Sequence, residues 1–271
     1  MSAWPSRLAR EQRVTRAVLG SLSVVLLAAA CDDDYDDDHN PTEPPPPAAT
    51  VVSASGAITT KVDEFRQLIG EPRNGGNVPG PATAGRREVT WDGVQSPNLN
   101  TDTFPGDFFH VTTKLGLITA TPGIGQRVSD NDFADLNAAF GESFNAFSGS
   151  KTFAAVGSPV MDVTFRVAAG TAPAVVSAFG VVFADVDVVG ATKLEAFDRA
   201  GKSLGVFEVP VRSDDTGHSF LGIKFASPVI ARVRITSGNG ALGAQAQDVT
   251  NGGTTDLVVM DDFIYAEPQP Q

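Results

Sequence analysis

Three carboxylates stand where strand patterning asks for apolar side chains, and a fourth stands next to one of them. Asp185 and Asp187 continue the every-second-residue series Phe179, Val181, Phe183, and Asp261 falls within Leu257, Val259, Phe263, Tyr265. Asp262 alternates to the opposite face, and with the strand register open it is an equal candidate. A carboxylate buried among apolar groups is costly unless it is paired or bound to a metal. A hard cation that takes six to eight oxygens answers that cost. Asp185, Asp187, Asp261 and Asp262 are therefore candidate ligands of a structural calcium ion. The competing reading ends both strands early and leaves the acids solvated.

Other constellations are weaker. Asn98-x-Asn100-x-Asp102 alternates oxygen ligands as a calcium loop does, but has Thr103 where Gly is needed and His110 where the closing Glu belongs. Asp130-x-Asp132-x-x-Asp135 fails similarly, so both read as turn and cap residues. Asp185 and Asp187 could also serve as a hydrolytic acid pair, although one strand does not reveal a separation across a cleft. Gly217-His218-Ser219-Phe220-Leu221 imitates a nucleophile elbow, with Leu221 in place of the last Gly and no strand–turn–helix around it. The chain has three His, of which His39 lies outside the patterned region, and no zinc spacing, phosphate loop or dinucleotide motif.

The elements that must position these residues are strands. Residues 87–94 alternate as a half-buried strand with Val89 and Trp91 on one side, and Leu115–Thr121 follows, closed by Pro122-Gly123. Met161–Val167 and Val229–Thr236 alternate cleanly. Ala174–Val189 is apolar on both faces as far as Ala184, as a central covered strand would be. Leu194–Phe197 and Leu204–Val209 flank Asp198-Arg199-Ala200-Gly201 as a hairpin; Ser219–Phe225 and Leu257–Tyr265 complete the set. Thr60–Ile69 is a helix candidate with Val62, Phe65 and Ile69 on one face, Thr60 and Asp63 as a capping pair, and Gly70 as its stop. Phe133, Leu136 and Phe140 suggest a second short helix ending at Gly141. The expected fold is all-β: an antiparallel two-sheet sandwich, jelly-roll-like, with one or two short helices. The 17 Phe, with Trp91 and Tyr265 in apolar-face positions, read as core rather than as an exposed aromatic platform for sugars.

Residues 7–16 carry four Arg and one Glu, and Ala17–Ala30 then runs 14 residues without a charge. That is too short for a membrane span and suits the apolar region of an export signal. The run ends at Cys31, the only cysteine, and in this it resembles the bacterial lipoprotein signal, whose terminal Cys is acylated and becomes the first residue of the mature chain. Ala28 stands where that signal usually has Leu. Ala28-Ala29-Ala30 also fits ordinary secretory cleavage, which leaves Cys31 as a free thiol. A lone cysteine forms no disulfide within the chain, so the core must hold the fold unaided.

The whole chain has a net charge of −12. Removal of residues 1–30 leaves 16 basic and 31 acidic residues, a net of −15, which disfavours nucleic acid and anionic lipid surfaces as partners. Six acids cluster in Asp32–Asp38, and Pro41–Pro47 is proline-rich. Residues 31–50 thus read as a solvated tether reaching roughly 60 Å at about 3.1 Å per residue.

GRREVTWDGV (85–94), PGDFF (105–109), FGVVFADVD (179–187), FDRAGKSLG (197–205) and VVMDDFIY (258–265) resemble segments of uncharacterised secreted bacterial jelly-roll proteins. That group implies a fold and no activity. A last strand ending in Asp-Asp is also similar to extracellular carbohydrate-binding and adhesion modules, some of which hold a structural calcium near it. The expected organisation is a signal peptide (1–30), a lipid-anchored tether (31–50), one β-sandwich (51–267) and a short tail (268–271). The expected protein sits in the bacterial cell envelope, at the periplasmic face or cell surface, attached to membrane through lipid on Cys31. It is read as a non-catalytic binding or structural module, with envelope polysaccharide or protein as partner. The alternative is a hydrolase of envelope or extracellular polymer.

Overall fold

Strand alternation predicts two faces with different surroundings, and the computed structural model has two sheets that differ in this way. It describes residues 46–212, 217–250 and 252–271, so residues 1–30, expected to be an export signal, together with Cys31 and the acidic run, lie outside the described residues. The elements run β1 (Thr50–Ser55), α1 (Thr59–Ile69), β2 (Arg86–Val89), α2 (Phe108–Val111), β3 (Leu117–Ala120), β4 (Gly125–Ser129), a 3-10 turn (Ala138–Glu142), β5 (Thr152–Val156) and β6 (Val160–Arg166). They continue with β7 (Pro173–Val175), β8 (Ala178–Ala184), β9 (Lys193–Phe197), β10 (Ser203–Glu208), β11 (His218–Lys224), β12 (Arg232–Thr236), β13 (Val259–Ala266) and β14 (Gln269–Pro270). One sheet has the order β1-β11-β8-β13-β5-β4, with β2 also on β13; the other has β10-β9-β12-β6-β7-β14, with β3 on β6. All strand pairs are antiparallel, and the fold is an all-β two-sheet sandwich.

The second sheet keeps one face in water. β6, β9 and β12 alternate buried and partly exposed residues, and on the outer face Arg232 and Arg234 both reach Asp162. In the first sheet β8 and β13 are buried at every position because both faces are covered. Phe165 of β6 meets Phe179 and Tyr265 across the interior, at 6.0 and 5.7 Å between ring centroids. On the other face α1 lays Val62 and Phe65 over the sheet. Gly180 and Gly222, paired across β8 and β11, leave room for Phe65: a Cβ on either would fall 2.6 Å from its ring. Trp91 is core, stacked on Phe153 at 3.8 Å with Phe109 and Phe263 against its edges.

Several local expectations change. The run 174–189 is not one strand: β7 belongs to one sheet and β8 to the other, with the switch at Val176–Ser177. Both inner faces demand apolar residues, so Ser177 is the one polar residue at the switch, and a single small one does not break the apolar run. β2 is short and buried throughout rather than half-buried, and the chain turns at Trp91 (φ 64°). α1 is preceded by Ile58 with no side-chain cap, so the Thr60–Asp63 capping pair does not form; Gly70 (φ 110°) closes the helix as expected. β1, β4 and β5 have no counterpart among the expected strands, and β1 begins at Thr50, the last residue of the expected tether. Beyond β13 the chain stays in the fold, because Gln269 and Pro270 pair with β7. Glu267 forms a two-pronged ion pair with buried Arg87, both contacts 2.8 Å. Arg87 also donates to the carbonyls of Gly75 and Val78, which ties down the loop after α1.

Candidate metal centre and the carboxylate bulge

The four candidate carboxylates fall into two places. At the first, β8 leaves its sheet after Ala184, and Asp185 turns the chain with φ 67° while its amide bonds to the Gly217 carbonyl (3.1 Å). Asp187 follows, and the loop before β13 brings in Asp248. Asp185, Asp187 and Asp248 each offer a carboxylate oxygen within 4.8 Å of the others. Asp248 is held by the amides of Leu257 (2.7 Å) and Thr250 (2.9 Å), and the Thr250 hydroxyl donates to Asp187 (2.7 Å). Beneath them Asp256 accepts from the amides of Asp187 and Val188, both 3.2 Å. Burial pushes the Asp256 carboxyl up to about 6, against the pull of those two amides.

This corner fits a hard divalent cation. Ligands about 2.3–2.6 Å from calcium lie up to roughly 5 Å apart across it, which matches the spacing, and carboxylate oxygens are the donors calcium prefers. Each oxygen already bonded to an amide or hydroxyl keeps a second lone pair for a metal. Asp248 was invisible to strand patterning. It lies more than 60 residues from Asp185 in sequence, on a loop, and no local spacing marks it.

The second place is a β-bulge. Along β13, Met260 pairs with Phe183 and Phe263 with Val181, so one extra residue stands opposite β8. On the other edge Met260 meets β5 while Phe263 begins the pairing with β2, leaving Asp261 and Asp262 at the seam. The bulge breaks the alternation that predicts opposite faces, and both side chains reach Ser148. Asp261 Oδ2 accepts from the amides of Phe147 (2.6 Å) and Ser148 (2.9 Å); Asp262 Oδ1 accepts from the Ser148 hydroxyl (2.7 Å). Asp262 Oδ2 also meets the Arg66 guanidinium at 3.3 Å, and the Asp261 carbonyl accepts from the Trp91 indole at 2.9 Å. Both residues are fully buried. Burial, with the neighbouring Asp262, pushes Asp261 up to about 8. Burial likewise raises Asp262, opposed by the Ser148 hydroxyl and Arg66. Amides, a hydroxyl and a guanidinium surround these two acids, and they stand outside the three-carboxylate group.

The weaker motifs have structural occupations. Arg127 sits between Asp102 (2.6 Å) and Asp135, and Asn100 bonds Asp130 (2.6 Å), so the two loop-like motifs hold each other together. Ser219 is a fully buried strand residue, and His218 Nε2 lies 2.9 Å from the Asn145 carbonyl. No family model, curated protein or solved structure matches this chain. The site itself has to carry the argument about function.

Proposed function

We propose that the chain is a lipid-anchored protein of the bacterial envelope whose β-sandwich is a non-catalytic binding or structural module stapled by calcium. The observation that carries this reading is the convergence of Asp185, Asp187 and Asp248, drawn from two distant stretches, on one point at the rim of the first sheet. The ion would neutralise carboxylates that burial penalises and would tie the loop before β13 to the end of β8. Waters or backbone carbonyls would complete its six to eight oxygens. The burial of Asp185 and Asp248 favours a staple over a hydrolytic pair, which has to flank a bond in an open cleft.

The attachment half of the proposal rests on the signal-like residues 1–30 and the single Cys31. Strand direction is consistent with it. Thr50 begins β1 beside Lys224, and Ser55 ends it beside Ser219, so the carboxylate corner lies about 20 Å along the sheet from where the chain joins it. A module displayed in this way would meet envelope polysaccharide or protein, and its acidic balance disfavours nucleic acid.

Thermal melts in millimolar calcium and in chelator test the metal. At about a hundred times the dissociation constant, linkage gives roughly 2.7 kcal/mol of stabilisation. For a domain of this size that raises Tm by about 5–11 °C. Asp248→Asn should abolish the rise. Identical melts with and without calcium would remove the metal from the reading. The anchor is tested separately: Cys31→Ser should release the protein from membranes, and a variant that stays membrane-bound would refute lipidation.

A further inference from the structure

The Asp261–Asp262 bulge grips a segment of chain. Phe147 and Ser148 donate both amides and one hydroxyl to the pair. Just before them Phe144 is buried against Phe133 and Phe140, in a small cluster that also holds Ala184, Leu257 and Val259. The segment 144–150 is therefore a cap over one end of the first sheet, and the carboxyl pair is its fastening.

The charged groups around the pair are unevenly matched. From α1 comes Arg66, which is divided among Asp262 (3.3 Å), Glu88 (3.2 Å) and Asp63 (3.1 Å). From β2 comes Glu88, whose other cations are Arg86 (2.7 Å) and Arg73 (3.7 Å). The turn after β2 contributes Asp92, a further negative charge acting on Asp261. Lys151, at the far end of the segment, gives its ammonium to the carbonyls of Asp92 and Val94. His218 of β11 meets the segment at the Asn145 carbonyl. Among the described residues a single guanidinium thus touches the pair, at Asp262, enough to compensate one carboxylate there. The geometry also locates a proton. Asp261 Oδ2 accepts two amides, while Oδ1 is buried with no donor among the described residues, and the side chain of Asp262 beside it is the acceptor for a proton there.

We infer that the bulge is a proton-operated latch: with Asp261 neutral the 144–150 segment is held shut, and loss of that proton releases it. The proton leaves Oδ1 for solvent. Two adjacent carboxylates then share the one guanidinium that reaches the pair among the described residues, and the segment moves off to admit water. Once exposed, an aspartate gives up its proton far more readily than Asp261 does in the closed form. Opening therefore releases one proton, and the opening equilibrium rises about tenfold per pH unit until the closed form itself titrates.

Amide exchange of Phe147 and Ser148 in the purified protein, held in calcium chelator, tests this without involving the metal corner. Intrinsic exchange gains about tenfold per pH unit, and the latch adds a second tenfold, so the logarithm of the rate should climb with a slope near two. Asp261→Asn, which keeps the Oδ acceptor and cannot ionise, should show a slope near one. The slope in the unaltered protein decides the matter even if this variant does not fold. A slope of one in the unaltered protein, or of two in Asp261→Asn, overturns the latch.

Discussion

The stability of the whole domain should fall as pH rises from 6.5 to 8, in contrast to the usual behaviour of a protein rich in paired acids. Asp261 is held at about 8 when folded, well above an ordinary aspartate. Across this window the folded state keeps a proton that the unfolded chain has already lost, so stability is fully present at low pH and declines as pH climbs towards 8. Each pH unit is worth up to about 1.4 kcal/mol. With half of Asp261 ionised at the upper limit, the loss is about 1.5–2 kcal/mol. Asp256, held at about 6, has the same sign but has largely titrated by 6.5. Glu88 and Asp162, held low by their arginines, add stability that is complete well below the window. His110, pushed down chiefly by burial, opposes the trend only below its ordinary value of 6.5. Melts in chelator at pH 6.5, 7.25 and 8 should show Tm falling by about 3–8 °C in total, and Asp261→Asn should flatten the series. A wild-type Tm that holds steady or rises across the window would refute the assignment of a buried proton to Asp261.

Two further outcomes test the frame that holds the sites. Gly222→Ala places a Cβ 2.6 Å from the Phe65 ring and should cost about 1–3 kcal/mol in urea unfolding, with Phe65→Leu in the same chain recovering part of it; additive losses would contradict the packing. Arg87→Met leaves the buried Glu267 carboxylate without its guanidinium and should cost about 3–5 kcal/mol, with only part recovered by adding Glu267→Leu, because Asn74, the Ala82 amide and the carbonyls of Gly75 and Val78 lose partners too.

What could be read from the residues depended on where water lies. β6, β9 and β12 alternate because one face is wet, and each is recognisable from residue types alone. β8 and β13 are covered on both faces, so their sequences record burial and say nothing about register, sheet membership or bulges. Residue pattern alone could therefore mark the cost of Asp185, Asp187, Asp261 and Asp262 among apolar neighbours, yet not how each cost is met. A period of two sends Asp261 and Asp262 to opposite faces; one inserted residue against β8 brings both to Ser148. Asp248 reaches Asp185 only through the topology of the loop before β13.

The two groups meet the same difficulty by opposite chemistry. A calcium ion would take Asp185, Asp187 and Asp248 at the rim, where a strand has ended; ionised carboxylates are what a metal needs, so alkali would strengthen such a site. Asp261 and Asp262 lie inside a ladder, where α1, β2 and the 144–150 segment close around them, and a proton is the smallest charge that fits. On the calcium reading, raising the pH tightens the rim while loosening the bulge. A cap fastened by a proton would then stand beside a loop fastened by a metal, and acidity would act on the two in opposite directions.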